Sequence, residues 1–170
     1  MSERYSATSM ALHWAMAGLM AGAFILGEVM EDMPRGPEKL SVMGWHILAG
    51  LIIAALVLPR LLARRSAPPL PATMPGWERR LAAAGHVVLY GVMILLPVAG
   101  LLAVVSGGRA FPVLGLFSIP NFMPSEGLHD RMEAVHGAAA KLFLIMVALH
   151  VAATVGHLVR RDGIAKRMLP

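Results

Sequence analysis

Cysteine is absent from this 170-residue chain. That excludes disulfides, thiolate iron–sulfur clusters, Cys-type zinc sites and covalent haem attachment through C-x-x-C-H. Charge is scarce: Asp, Glu, Lys and Arg make up 15% of the residues, against about 25% in an ordinary soluble domain. Aromatic residues are scarce as well, at 6%, which disfavours a β-barrel with aromatic girdles. There is no fixed-period repeat and no low-complexity tract. What the chain has instead is 57% hydrophobic residues and a mean hydropathy of +0.67. Such a composition excludes a disordered chain and disfavours a soluble domain, while the length allows one domain over residues 1–170. The odd feature is seven histidines, most of them in or beside apolar runs.

Four stretches reach the about 20 apolar residues that cross a bilayer: about Thr8–Gly27, Val42–Leu62, Leu81–Val105 and Ala134–Val159. None alternates like a strand, and backbone facing lipid must be bonded internally. The expected fold is therefore all-α, an integral membrane four-helix bundle. The first span lacks a basic leader and a small-x-small cleavage site, so it is expected to be a retained helix. Pro97 lies inside the third span, where it is expected to kink the helix. Gly18-x-x-x-Gly22 suits close helix approach or is ordinary small-residue background.

Lys and Arg set the orientation. The N-terminus, second connection and C-terminus share one side and carry ten: Arg4, Arg60, Arg64, Arg65, Arg79, Arg80, Arg160, Arg161, Lys166 and Arg167. The other side carries four: Arg35, Lys39, Arg109 and Arg131. Both termini are thus expected in the cytoplasm. A pI near 10.4 then reflects topology and contact with membrane lipid. No nucleic-acid-binding motif accompanies the basic residues.

Ionisable groups inside a membrane are costly and point to function. His13 falls near the cytoplasmic end of the first span, His46 near the outer end of the second and His86 near the cytoplasmic end of the third. In the fourth span His136 is near the outer end, and His150 follows 14 residues later, about 21 Å deeper. His157 comes at the inner boundary. Fourteen residues return to within about 40° of the starting direction and seven to within about 20°, so His136, His150 and His157 share a face. Two pairs result, His46 with His136 and His13 with His150. Facing imidazoles at each end of a bundle are the ligand arrangement for two bis-histidine b haems, which need no cysteine. Gly44, Ala49, Gly50 and Gly137–Ala140 leave room for a porphyrin. Two other readings stay open: a zinc-type site, although no H-E-x-x-H is present, and plain hydrogen-bonded packing.

Taken together, Tyr5-Ser6, His13-Trp14, His46, Pro59-Arg60, Gly85-His86, Leu96-Pro97-Val98-x-Gly100, His136, His150 and His157 resemble the bacterial cytochrome b561 family over nearly the whole chain. These are small four-helix, di-haem membrane proteins. The chain resembles in particular its superoxide:ubiquinone oxidoreductases of the inner membrane. The resemblance implies His13, His46, His136 and His150 as the axial ligands of two haem b groups. It implies electron flow from a periplasmic donor, superoxide, through the outer and then the inner haem to ubiquinone.

On that scheme His86 and His157 are the candidates for a quinone pocket, since an imidazole can donate to a quinone carbonyl and shuttle protons. Either can instead meet a haem propionate or cap the bundle. Arg79, Arg80 and Arg160 are candidates for the inner propionates, and Lys141 for a propionate or for snorkelling. Arg35, Lys39, Arg109 and Arg131 are available to steer an anion, with His129 read as a solvated loop residue. Yet the outer connections also carry seven acids: Glu28, Glu31, Asp32, Glu38, Glu126, Asp130 and Glu133. The alternatives are a haem-b subunit that couples a periplasmic dehydrogenase, hydrogenase or cytochrome to the quinone pool, and a haem-free membrane scaffold or small transporter.

Overall fold

The computed structural model describes residues 4–65 and 74–169. Four long helices dominate: α1 (Ala7–Glu31), α2 (Pro37–Arg65), α3 (Gly76–Ser106) and α4 (Glu126–Arg160). Each is long and apolar enough to cross a membrane. Their outer surfaces keep large apolar side chains exposed, among them Leu58, Val87, Ile145 and Val159. A surface of that kind fits lipid rather than water.

The helices overrun the apolar spans at nearly every end, most of all in α4. That helix has 35 residues, about 52 Å of length against about 30 Å of hydrocarbon. Its first two turns hold Glu126, His129, Asp130, Arg131 and Glu133, which a hydropathy window rejects although the backbone stays helical. Ser125 caps it, its side chain accepting from the Leu128 amide at 3.3 Å. Ser6 does the same for α1, accepting from the Ser9 amide at 3.2 Å. Pro37 opens α2, where its missing N–H is harmless. Of the expected second connection, residues 66–73, with Pro68, Pro69 and Pro71, lie outside the described residues.

The expectation of helices alone needs one correction. The third connection contains an antiparallel hairpin, β1 (Phe111–Val113) with β2 (Phe117–Ile119). Leu114 (φ 52°) and Gly115 (φ 73°) make its turn, both left-handed as a tight hairpin turn requires. Val113 is wholly buried, with Val105 and Ile119.

α1 packs along α2 and α3 along α4, while contact between these two helical pairs runs mainly from α2 to α3. The bundle is thus two helix hairpins with a looser seam between them. A core of Met16, Ala23, Ile53, Val57 and Met93 fills part of that seam. Tyr5, the C-terminal end of α2 and the segment around Arg167 share one end, joined by Arg64 to the Tyr5 hydroxyl at 3.1 Å and Tyr5 N–H to the Arg167 carbonyl at 3.1 Å. The β-hairpin covers the other end.

Candidate functional site: paired histidines across the seam

At the β-hairpin end His46 of α2 faces His136 of α4, with ring centres 5.9 Å apart. Each ring is anchored within its own helix hairpin. His46 Nδ1 lies 2.8 Å from the Ala23 carbonyl of α1, and His136 Nδ1 lies 2.8 Å from the Leu96 carbonyl of α3. A carbonyl only accepts, so both Nδ1 atoms carry the proton and both Nε2 lone pairs are free. Each anchoring carbonyl has glycine four residues on. A β-carbon at Gly27 would meet the His46 ring at 3.5 Å, and one at Gly100 would meet the His136 ring at 3.1 Å. Beside the pair is a partly open cleft lined by Met20, Phe24, Gly50, Pro97, Ala140 and Phe143. Its lining is almost wholly apolar.

At the termini end three imidazoles gather. His13 of α1 stands 6.4 Å from His150 of α4, and His86 of α3 stands 5.7 Å from His150. His86 is tied back to its own helix, Nδ1 donating to the Ala82 carbonyl at 2.6 Å. His13 meets a different group: Arg60 of α2 brings Nη2 to 3.3 Å from its Nδ1. Arg60 as a whole is 7% exposed. Its Nη1 donates to the Ser9 hydroxyl at 3.0 Å and the Ser9 carbonyl at 3.2 Å. No carboxylate among the described residues lies within ion-pair distance of it.

These features fit a porphyrin. A metal–nitrogen bond of about 2 Å on each side, plus the ring radii, sets the imidazole centres about 6 Å apart. His46/His136 and His13/His150 both meet that spacing, and both bridge the seam between the helix hairpins. His86/His150 has the spacing too, but lies between α3 and α4, which are packed along their length. The glycine seats keep the rings in place, and Arg60 is a buried cation without a counter-ion among the described residues, suited to a carboxylate of an incoming group.

The model of one family, described as prokaryotic cytochrome b561, matches residues 4–170. The chain belongs to the prokaryotic cytochrome b561 family. It is 26% identical to cytochrome b561 homolog 1 of Escherichia coli K12, over 99% of this chain and 98% of that relative. It is 31% identical to cytochrome b561 homolog 2 of the same organism, over 98% and 92%. It is 28% identical to the probable superoxide oxidase CybB of Yersinia pestis, over 100% and 98%. Membership implies a haem b protein of membrane electron transfer.

Several expectations about individual residues change. His129 is not a loop residue but lies in α4, seven residues before His136, and repeats its seat. Its Nδ1 is 2.8 Å from the Ala103 carbonyl, and a β-carbon at Gly107, four residues on, would meet its ring at 3.3 Å. Gly44 does not open space for a porphyrin; it lies beneath Leu114 of the hairpin turn, 2.9 Å from where its β-carbon would be. Neither Gly18 nor Gly22 has another segment within 4 Å of such a position, so this motif makes no close helix approach. Arg160 pairs with Glu78 at 2.8 Å. His86 joins the His13/His150 group, whereas His157 turns to Asp162 at 2.6 Å. The carbonyl–glycine seats, Arg60–His13 and His157–Asp162 are absent from any reading of the sequence. Pro59-Arg60 and Gly100 were visible in it, but their partners were not.

Proposed function

We propose that this chain is a di-haem b oxidoreductase of the bacterial inner membrane, with both termini in the cytoplasm. It takes electrons from superoxide at the periplasmic side and delivers them to ubiquinone near the cytoplasmic side. The observation that carries this reading is the two imidazole pairs that bridge the seam, 5.9 and 6.4 Å apart and separated by 14 residues of α4.

His46 with His136, and His13 with His150, would each hold one haem b through Nε2. The bound groups supply one-electron exchange. The chain's own residues do the rest. Ala23 and Leu96 fix the orientation of His46 and His136 and leave their Nε2 atoms for the metal, as the outer partners of metal-binding histidines do. Arg60 offers its charge to a propionate. Met20, Phe24 and Phe143 keep water from the hairpin-end pair. At the termini end His157 holds and delivers a proton, and His86 presents the Nε2 that its bond to Ala82 leaves free.

The superoxide assignment is supported by full-length similarity to the Yersinia pestis relative. Arg35, Lys39, Arg109 and Arg131 supply cationic charge for steering, and the excess of Lys and Arg at the termini end supports the orientation. A second reading, a subunit fed by a periplasmic protein donor, is favoured by the seven acids of the hairpin-end connections.

The test is a visible spectrum of the detergent-purified protein, with haem and protein quantified, before and after a superoxide source and then a ubiquinone analogue. Two low-spin b haems per chain, reduced by superoxide and reoxidised by the quinone, are expected. Two haems that stay oxidised support the protein-fed subunit. A colourless protein overturns both.

A further inference from the structure

Just past α4 the chain doubles back. Arg161 (φ 55°) and Gly163 (φ 81°) are both left-handed, and Asp162 lies between them. Its Oδ1 accepts the Ile164 amide at 3.0 Å, a fixed turn. Its Oδ2 lies 2.6 Å from His157 Nδ1. The tail beyond is fastened to α1 by Tyr5 N–H to the Arg167 carbonyl at 3.1 Å and by Trp14 Nε1–H to the Met168 carbonyl at 3.0 Å. The carboxylate is therefore held from both sides of the turn.

Burial opposes the ionisation of Asp162, but hydrogen bonds from His157 and the Ile164 amide, with the charges of His157 and Arg160, hold its carboxyl below the ordinary value. It is an anion throughout neutral pH. An ionised carboxylate only accepts, so His157 donates Nδ1–H to it and keeps Nε2 for another partner. A carboxylate on Nδ1 fixes the ring's tautomer and stabilises its imidazolium form. Of the charged groups on the packed elements, Glu78 of α3 pairs with Arg160; Arg161, Lys166 and Arg167 belong to the turn and tail.

We propose that Asp162 is a positioning residue that makes His157 the proton donor for quinone reduction, an inference that rests on the quinone reading above. The balance is two superoxide anions, one quinone and two protons giving two dioxygen molecules and one quinol. Each superoxide loses one electron and the quinone gains two. Protonated His157 gives its Nε2 proton to a reduced quinone oxygen and recovers one from the aqueous side. Asp162 keeps its charge throughout.

The test uses the haem-loaded, full-length protein, with a superoxide source and a soluble ubiquinone analogue. In Asp162→Asn, haem content and haem reduction by superoxide are expected to be unchanged. The kcat for quinone reduction falls roughly tenfold or more, within the range of general acid catalysis, while KM changes little. Asp162→Glu recovers part of the rate. Histidine-labelled NMR reads the Nδ1 proton of His157 directly, and its hydrogen-bonded signal shifts upfield in Asp162→Asn whether or not a quinone is the acceptor. An unchanged Nδ1 proton signal, an unchanged kcat, or loss of haem in both variants overturns the proposal. If the Nδ1 signal shifts as expected and the wild type reduces no quinone, the quinone reading fails and the dyad stands.

Discussion

Gly100 of α3 lies directly against the imidazole of His136 on α4, so close that a β-carbon would stand 3.1 Å from the ring. The contact is tight because the same ring reaches past it to bond the Leu96 carbonyl at 2.8 Å. Gly100→Ala must therefore push the ring off its anchor. Its counterpart Gly27 leaves 3.5 Å to His46, an ordinary contact. Overpacking of the first kind costs about 1–3 kcal/mol. Gly100→Ala is expected to lower occupancy of the hairpin-end haem several-fold while Gly27→Ala retains it. Haem-to-protein ratios check this, and equal occupancy in the two variants removes the seat from the argument.

The pairing of ligands is tested by subtraction. His46→Ala or His136→Ala should leave about one haem per chain, and so should His13→Ala or His150→Ala, since a bis-histidine site needs both axial ligands. His86→Ala should keep both. If His86→Ala loses one haem and His13→Ala keeps two, the termini-end site lies between α3 and α4 rather than across the seam.

The pattern of this site in the sequence has a physical limit. Helix positions and histidine depth are legible because hydrophobic run length and heptad spacing are properties of the chain itself. His136, His150 and the facing His46 and His13 follow from them. Helix ends are less legible, because Glu126 to Glu133 are polar yet helical, and hydropathy measures the hydrocarbon slab rather than the helix. The hairpin at Phe111–Ile119 escapes notice because its strands have three residues each. The anchors of the rings escape it altogether. Ala23, Leu96 and Ala103 act through backbone carbonyls, which no side chain announces, and His129 therefore looks like a loop residue until the fold brings Ala103 to it.

Arg60 offers a test of what the termini-end histidines hold. It is buried, bonded to Ser9, turned to His13 and lacks a described carboxylate partner. A buried unpaired charge is strongly destabilising, by about 3–5 kcal/mol where a partner has been removed. An incoming carboxylate relieves that burden. Arg60→Gln is expected to make the haem-free protein more heat-resistant than wild type and to weaken retention of the termini-end haem. Arg60→Lys should retain the haem better than Arg60→Gln. Thermal unfolding with and without haem reads both effects. A glutamine variant that is less stable without haem, yet binds both haems normally, gives Arg60 a structural role through Ser9.

Arg109 bears on the donor. It is exposed on the connection that covers the hairpin end, amid an excess of acids. If superoxide approaches there, charge reversal acts on encounter rather than on the chemistry within. Arg109→Glu is then expected to lower the superoxide-dependent rate of haem reduction several-fold at low ionic strength. The difference should shrink towards 0.15 M salt, where the Debye length is about 8 Å. Stopped-flow reduction across a salt series measures it. A rate that ignores both the reversal and the salt leaves Arg109 out of the approach path. A wild-type rate that rises with salt points instead to repulsion from Glu126, Asp130 and Glu133, and so favours a protein donor that covers those acids when it docks.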